Sequence, residues 1–205
     1  MFLNKEDMNI FELIIDEENE EAGIQAISIV ENPAMESDFI ALNETQRVEL
    51  ARTNEDEQLL MGAALIPNKP VYRKEGENEF YIYFSEETVK KASQMFFKNN
   101  NQSKATLEHQ AAIEGMTIVE SWIIEDEQFD KSRKYGLDLP KGTWMISMKV
   151  DDKKIWDTQI KGNKVFGFSI EGIFADRLAK KDANLSDQKL DAILNNVKQI
   201  ILDNR

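Results

Sequence analysis

Two side chains have the types needed for acyl-transfer chemistry: His109, the only histidine in the chain, and Ser169, which interrupts the apolar run VFGFSIEGIF at residues 165–174. A serine hydroxyl gives up its proton near neutral pH only when a base lies within hydrogen-bond reach, and imidazole is the commonest such base. With no cysteine present, thiolate nucleophiles, thiolate zinc sites and disulfides are excluded, so any nucleophile is an oxygen. A single imidazole also rules out a multi-histidine metal centre, and neither a metal nor another cofactor is expected.

An extended segment sends alternate side chains to opposite faces. Phe166, Phe168, Ile170 and Phe174 then share one face, and Val165, Gly167, Ser169 and Glu171 the other. Gly167 leaves room beside the hydroxyl for another backbone to approach. An outward serine on an amphipathic strand is ordinary, so Ser169 gains meaning only if His109 meets it.

A third group is expected to orient the imidazole and stabilise its protonated form. The segment HQAAIEGMTIVE centres on Glu114 and Gly115, a two-residue turn, and in that register His109 faces Glu120 across an antiparallel pair. Directly opposed side chains sit roughly 4.5–5.5 Å apart at Cβ, so Glu120 is the geometric choice for the third member. A one-residue slip would turn it to the wrong face. Glu108 should point away from His109, Asp176 lies too far along the strand from Ser169, and Glu171, although on the serine's face, sits nearer the nucleophile than the base.

The elements that must position these residues read as short strands with few helices. FELII, IQAISIV and DFIAL alternate with acidic or turn-forming breaks, and residues 43–58 read as a linker or short exposed helix. EFYIYFS leads into a helix with Ser85 as N-cap and Val89, Ala92 and Phe96 at helical spacing. KATLEHQAA, MTIVESWII, GTWMISMKV and VFGFSIEGIF supply four more strands, the middle two joined by a long loop at 125–142 of the kind that forms lids or recognition loops. About eight strands suggest a barrel or a sandwich. Beyond residue 178 a charged spacer precedes an amphipathic stretch with Leu190, Ile193, Leu194, Val197, Ile200 and Ile201 on one stripe after Ser186. The domain division is therefore 1–178 for a β domain and 179–205 for the spacer and C-terminal helix.

Composition narrows the functional classes. With 41% apolar and 31% charged residues the chain is suited to a water-soluble core. No run reaches the roughly 20 apolar residues that span a bilayer, and no signal-peptide pattern opens the sequence, so neither a membrane nor a secreted setting is expected. A net charge of −13 repels phosphate backbones and disfavours nucleic acid as a partner.

TLEHQ, VESWIIED, GTWM and GFSIEG in that order, with AISIVENPAM upstream, resemble the phage prohead maturation serine proteases of the XkdF-like branch across roughly residues 22 to 177. The resemblance implies a hydrolase with the herpesvirus assemblin-type fold, a closed or nearly closed β-barrel with flanking helices (α+β). It implies His109 as base and Ser169 as nucleophile. The herpesvirus triad uses a second histidine, which this chain lacks, so Glu120 stays a geometric assignment. The implied activity is serine endopeptidase cleavage of scaffold or capsid-protein extensions in viral assembly. Scaffold and major capsid proteins are then the partners, a homo-oligomer is compatible, and the setting is the host cytoplasm inside an assembling procapsid. The alternative is a non-catalytic head or scaffold-associated structural protein that keeps the barrel and docks through its C-terminal helix.

Overall fold

The computed structural model describes residues 9–16, 18–19, 21–31, 33, 51–54, 58–162 and 164–178. Among these residues the chain forms three four-stranded sheets. The first has the order β12-β1-β6-β5, built from β12 (Ala175–Leu178), β1 (Asn9–Ile14), β6 (Asn78–Tyr83) and β5 (Val71–Glu75). The second is β3-β4-β10-β9, from β3 (Ala51–Asn54), β4 (Leu59–Leu65), β10 (Trp144–Val150) and β9 (Met116–Ile123). The third is β11-β2-β7-β8, from β11 (Gly167–Ile173), β2 (Gly23–Val30), β7 (Ala105–Leu107) and β8 (Ala111–Ile113).

Among the described residues no sheet closes on itself, so the expected closed or nearly closed barrel is not the architecture. The hairpin expected at Glu114 and Gly115 is also absent. A hairpin there would have run β8 into β9 within one sheet. Instead Gly115 takes φ 72 and its carbonyl accepts from Asp151 N at 2.6 Å, beside the end of β10. Strand β8 pairs with β7 and strand β9 with β10, so the chain leaves one sheet for another at this corner. Among the described residues the flanking helices are few and short: α1 (Glu86–Lys98), and α2 (Lys153–Ile155) continuing into a π turn at Trp156–Ile160. The DFIAL segment and the C-terminal helix, with the proposed boundary after 178, lie outside the described residues. Part of the 43–58 stretch is strand β3 rather than linker or helix.

The main core lies between the second and third sheets and under α1. Helix α1 starts where expected: Ser85 Oγ accepts from Thr88 N at 3.3 Å, and Glu86 and Glu87 complement the positive end of the helix. Its Val89, Ala92 and Phe96 are buried with Ile24, Ile27 and Ile29 of β2 and Trp144, Ile146 and Met148 of β10. Phe96 meets the Trp144 ring edge-on at 5.5 Å. A smaller core on the other face of β10 gathers Met61, Ile66, Ile124, Leu137, Leu139 and Met145.

Four register shifts interrupt these sheets among the described residues, and two of them bear on packing and on the sheet edge. On β2 the pairing passes from Glu171↔Ala26 to Gly172↔Ile24; the extra residue, Gln25, is exposed, and the parity change brings Ile24 into the core with Ile27. On β9 the unpaired residue is Val119, between Ile118↔Met148 and Glu120↔Ser147. That bulge interrupts an edge strand, as suits an edge left without a neighbour.

The 125–142 loop is built, not open. Leu137 and Leu139 enter the smaller core, a 3-10 turn spans Lys131–Tyr135 with Asp130 as its cap, and Trp122 Nε1 donates to Asp130 Oδ2 at 3.1 Å. Phe129 at its tip is 86% exposed.

Candidate active site

The third sheet carries the candidate residues. Ser169 on β11 lies directly opposite Ser28 on β2, and Ser28 directly opposite Thr106 on β7. Three hydroxyl-bearing residues thus form one row across three adjacent strands and share one face. Ser169 does face away from Phe168, as period-two reading expects. It is nevertheless buried, at 4% exposure. The space expected beside Gly167 is occupied: a Cβ placed there would lie 2.6 Å from Pro33 Cγ.

His109 is not in a strand. Strands β7 and β8 pair as Ala105↔Ile113, Thr106↔Ala112 and Leu107↔Ala111, which leaves Glu108, His109 and Gln110 as a three-residue connection, with Glu108 and His109 at the centre of its tight turn. Gln110 N closes it onto Leu107 O at 3.0 Å. Glu108 has φ 51 and His109 φ 57, the double left-handed geometry of a type I′ turn, whose twist matches that of the flanking strands. Neither residue is glycine, and the left-handed conformation costs an ordinary L-residue roughly 1–2 kcal/mol.

Three contacts with β2 and its end hold that conformation. Glu108 N donates to Ile29 O at 3.1 Å, Glu31 N donates to Glu108 Oε1 at 2.6 Å, and His109 N donates to Ser28 Oγ at 3.1 Å. The turn therefore folds over the hydroxyl row and sets the imidazole beside it. Its Nδ1 lies 3.1 Å from Glu171 Oε1. The same carboxylate oxygen accepts the Thr106 hydroxyl. Glu171 reaches across β2 above Ala26, its own register partner, and a side chain that small leaves the path clear.

A carboxylate on Nδ1 places the ring proton on that nitrogen and leaves Nε2 as a bare acceptor. The row beneath contains Ser169 at one end, and Ser28, its direct neighbour, already touches the histidine backbone. These residues form the set a serine hydrolase uses: hydroxyl, imidazole and carboxylate. No hydrogen bond joins His109 to Ser169 among the described residues. In ligand-free proteins such contacts are commonly long and tighten when substrate binds.

Glu120 stands elsewhere. It lies on β9 in the second sheet, opposite Ser147 of β10. Its Oε2 accepts from Lys131 Nζ at 2.5 Å and from Ser147 Oγ at 2.6 Å. The Lys131 hydrogen bond, joined by that from Ser147, holds its carboxyl below the usual 4.5. The expected His109–Glu120 pairing does not form, because the hairpin turn falls at Glu108 and His109 and not at Glu114 and Gly115. The group that sequence reasoning set aside, Glu171, is the one on the imidazole. Its signal was its parity with Ser169 in SIE. Ser28 and Thr106 had no comparable signal, since strand partners are not readable from one chain. Asp176 pairs with Leu13 in the first sheet. Among the described residues no cluster of three His, Cys, Asp or Glu side chains could hold a metal.

A row of three hydroxyls beneath a turn whose imidazole meets a carboxylate, on a mainly β framework, is of the kind serine hydrolases use. The chain belongs to the family described as "Putative phage serine protease XkdF", whose model matches residues 47–178. Both TLEHQ and GFSIEG fall inside that match, and the family supports a phage serine protease as the activity class. No curated protein and no solved structure matched the chain.

Proposed function

We propose that this protein is a serine endopeptidase that removes scaffold or capsid-protein extensions during phage head maturation, inside the assembling procapsid of the host cell. Ser169 attacks the scissile carbonyl while His109 Nε2 takes its proton. Glu171, in place of Glu120, holds the imidazolium that results. The same imidazole then returns the proton to the leaving amine, and water releases the acyl group by the reverse sequence.

The observation that carries this reading is the His109 Nδ1 to Glu171 Oε1 contact at 3.1 Å above the row that contains Ser169. The test is labelling by a fluorophosphonate probe, together with processing of a co-expressed scaffold or capsid precursor. Wild-type protein is expected to label on Ser169 and to cleave. Ser169→Ala and His109→Ala are each expected to do neither while keeping the circular dichroism of the wild type. Unchanged processing by either purified variant removes the proposal.

One observation favours a second reading, a non-catalytic head-associated protein: Ser169 is only 4% exposed. Absence of labelling and cleavage by the wild type, with retained co-assembly into heads, selects it.

A further inference from the structure

The catalytic reading uses His109, Ser169 and Glu171 and leaves Ser28 without a task. Ser28 is fully buried, at 0% exposure. A hydroxyl in that position costs stability unless it is bonded. Its Oγ accepts from His109 N at 3.1 Å and reaches Thr106 O at 3.4 Å, a weak donation. Its firm contact is thus with the backbone of the candidate base, where among the described residues it is the one backbone tie, whereas Glu108 has two. Glu108 could be held by the Ile29 carbonyl alone; His109 N has Ser28 as its partner.

We infer that Ser28 is a positioning residue that holds the His109 backbone in its left-handed conformation, so that the ring meets Glu171 through Nδ1 and presents Nε2 toward Ser169. This rests on the catalytic reading above for its purpose and on the hydrogen bond alone for its geometry. An alanine there leaves the His109 N–H under the turn without its acceptor and removes one of the restraints that offset the left-handed strain. A ring displaced by about 1 Å is enough to cost on the order of a hundredfold in rate.

The chain has one histidine, so 15N-histidine labelling gives one pair of ring nitrogen resonances and a direct view of the tautomer. In the wild type, with the ring neutral, Nδ1 is expected protonated and Nε2 bare. In Ser28→Ala the two resonances should move toward the averaged values of free histidine, and fluorophosphonate labelling of Ser169 should slow about tenfold to a hundredfold. If Ser28→Ala does not fold, Ser28→Cys keeps the volume with a weak acceptor and should show the same direction of change.

A folded Ser28 variant with wild-type ring resonances and labelling within twofold overturns the inference. A wild type that never labels defeats the protease reading instead, and the ring resonances still decide the role of Ser28.

Discussion

Replacing Glu171 by glutamine tests the central geometry at constant size. The carboxylate oxygen lies 3.1 Å from His109 Nδ1, and its charge matters most when the imidazole becomes cationic in the transition state. Two unit charges at that distance attract by about 5 kcal/mol at an effective dielectric constant near 20 and by about 1.3 in bulk water. The side chains are 41% and 31% exposed, so the site falls between those limits, at about 2.7 kcal/mol for an intermediate dielectric constant near 40. At 1.36 kcal/mol per decade this is about a hundredfold loss of rate. Both contacts fall on one oxygen, and an amide oxygen with two lone pairs can accept both, so the loss reports the missing charge. The measurement is the second-order rate constant for fluorophosphonate labelling of Ser169, with the urea midpoint as the control for folding. A Glu171→Gln variant that labels within threefold of wild type would refute the assignment of Glu171 as the group that orients His109.

Glu120→Gln is expected to leave that labelling rate within twofold, because Glu120 serves Lys131 and Ser147 on another sheet; a loss of tenfold or more would return Glu120 to the site. Its carboxyl is held below the ordinary 4.5 by Lys131 and then Ser147. Its contribution to stability is therefore complete above that value and disappears as pH falls through the depressed folded value. At 48% exposure the effect is less than about 1 kcal/mol, seen as a smaller acid-side decline in urea midpoint for Glu120→Gln between pH 5 and 3. Trp144→Ala removes a fully buried ring that donates to Ser121 Oγ at 2.8 Å. It should cost about 3–5 kcal/mol, which lowers the urea midpoint by about 2 M at a slope of roughly 2 kcal/mol/M; a shift under 0.5 M (about 1 kcal/mol at that slope) would contradict its place in the core.

Local patterns were legible wherever one short segment decides its own conformation. The Ser85 cap with Val89, Ala92 and Phe96 gave helix α1, and the opposed faces of Phe168 and Ser169 followed from strand parity. Pairing partners were not legible, because the register that matters joins β11 to β2, and β2 to β7, across most of the chain. The turn at Glu108 and His109 escaped notice for a related reason. A type I′ turn normally announces itself through Asn or Gly, and here tertiary hydrogen bonds from Ser28, Ile29 and Glu31 impose the conformation that local preference withholds. Glu114-Gly115 carried the more conventional signal, and it marks a corner between sheets. That exchange of one turn for another moved the carboxylate assignment from Glu120 to Glu171.

The Glu108–His109 turn also sets how the protein responds to warming. Its conformation depends on three hydrogen bonds at a sheet margin, whereas the sheets rest on the apolar interior around Trp144 and Phe96. A segment tied down so lightly opens in local excursions well before global melting. The imidazole can therefore lose its alignment while circular dichroism still reports intact sheets. Thermal inactivation that precedes denaturation, and reverses on cooling, is the behaviour built into that two-residue latch.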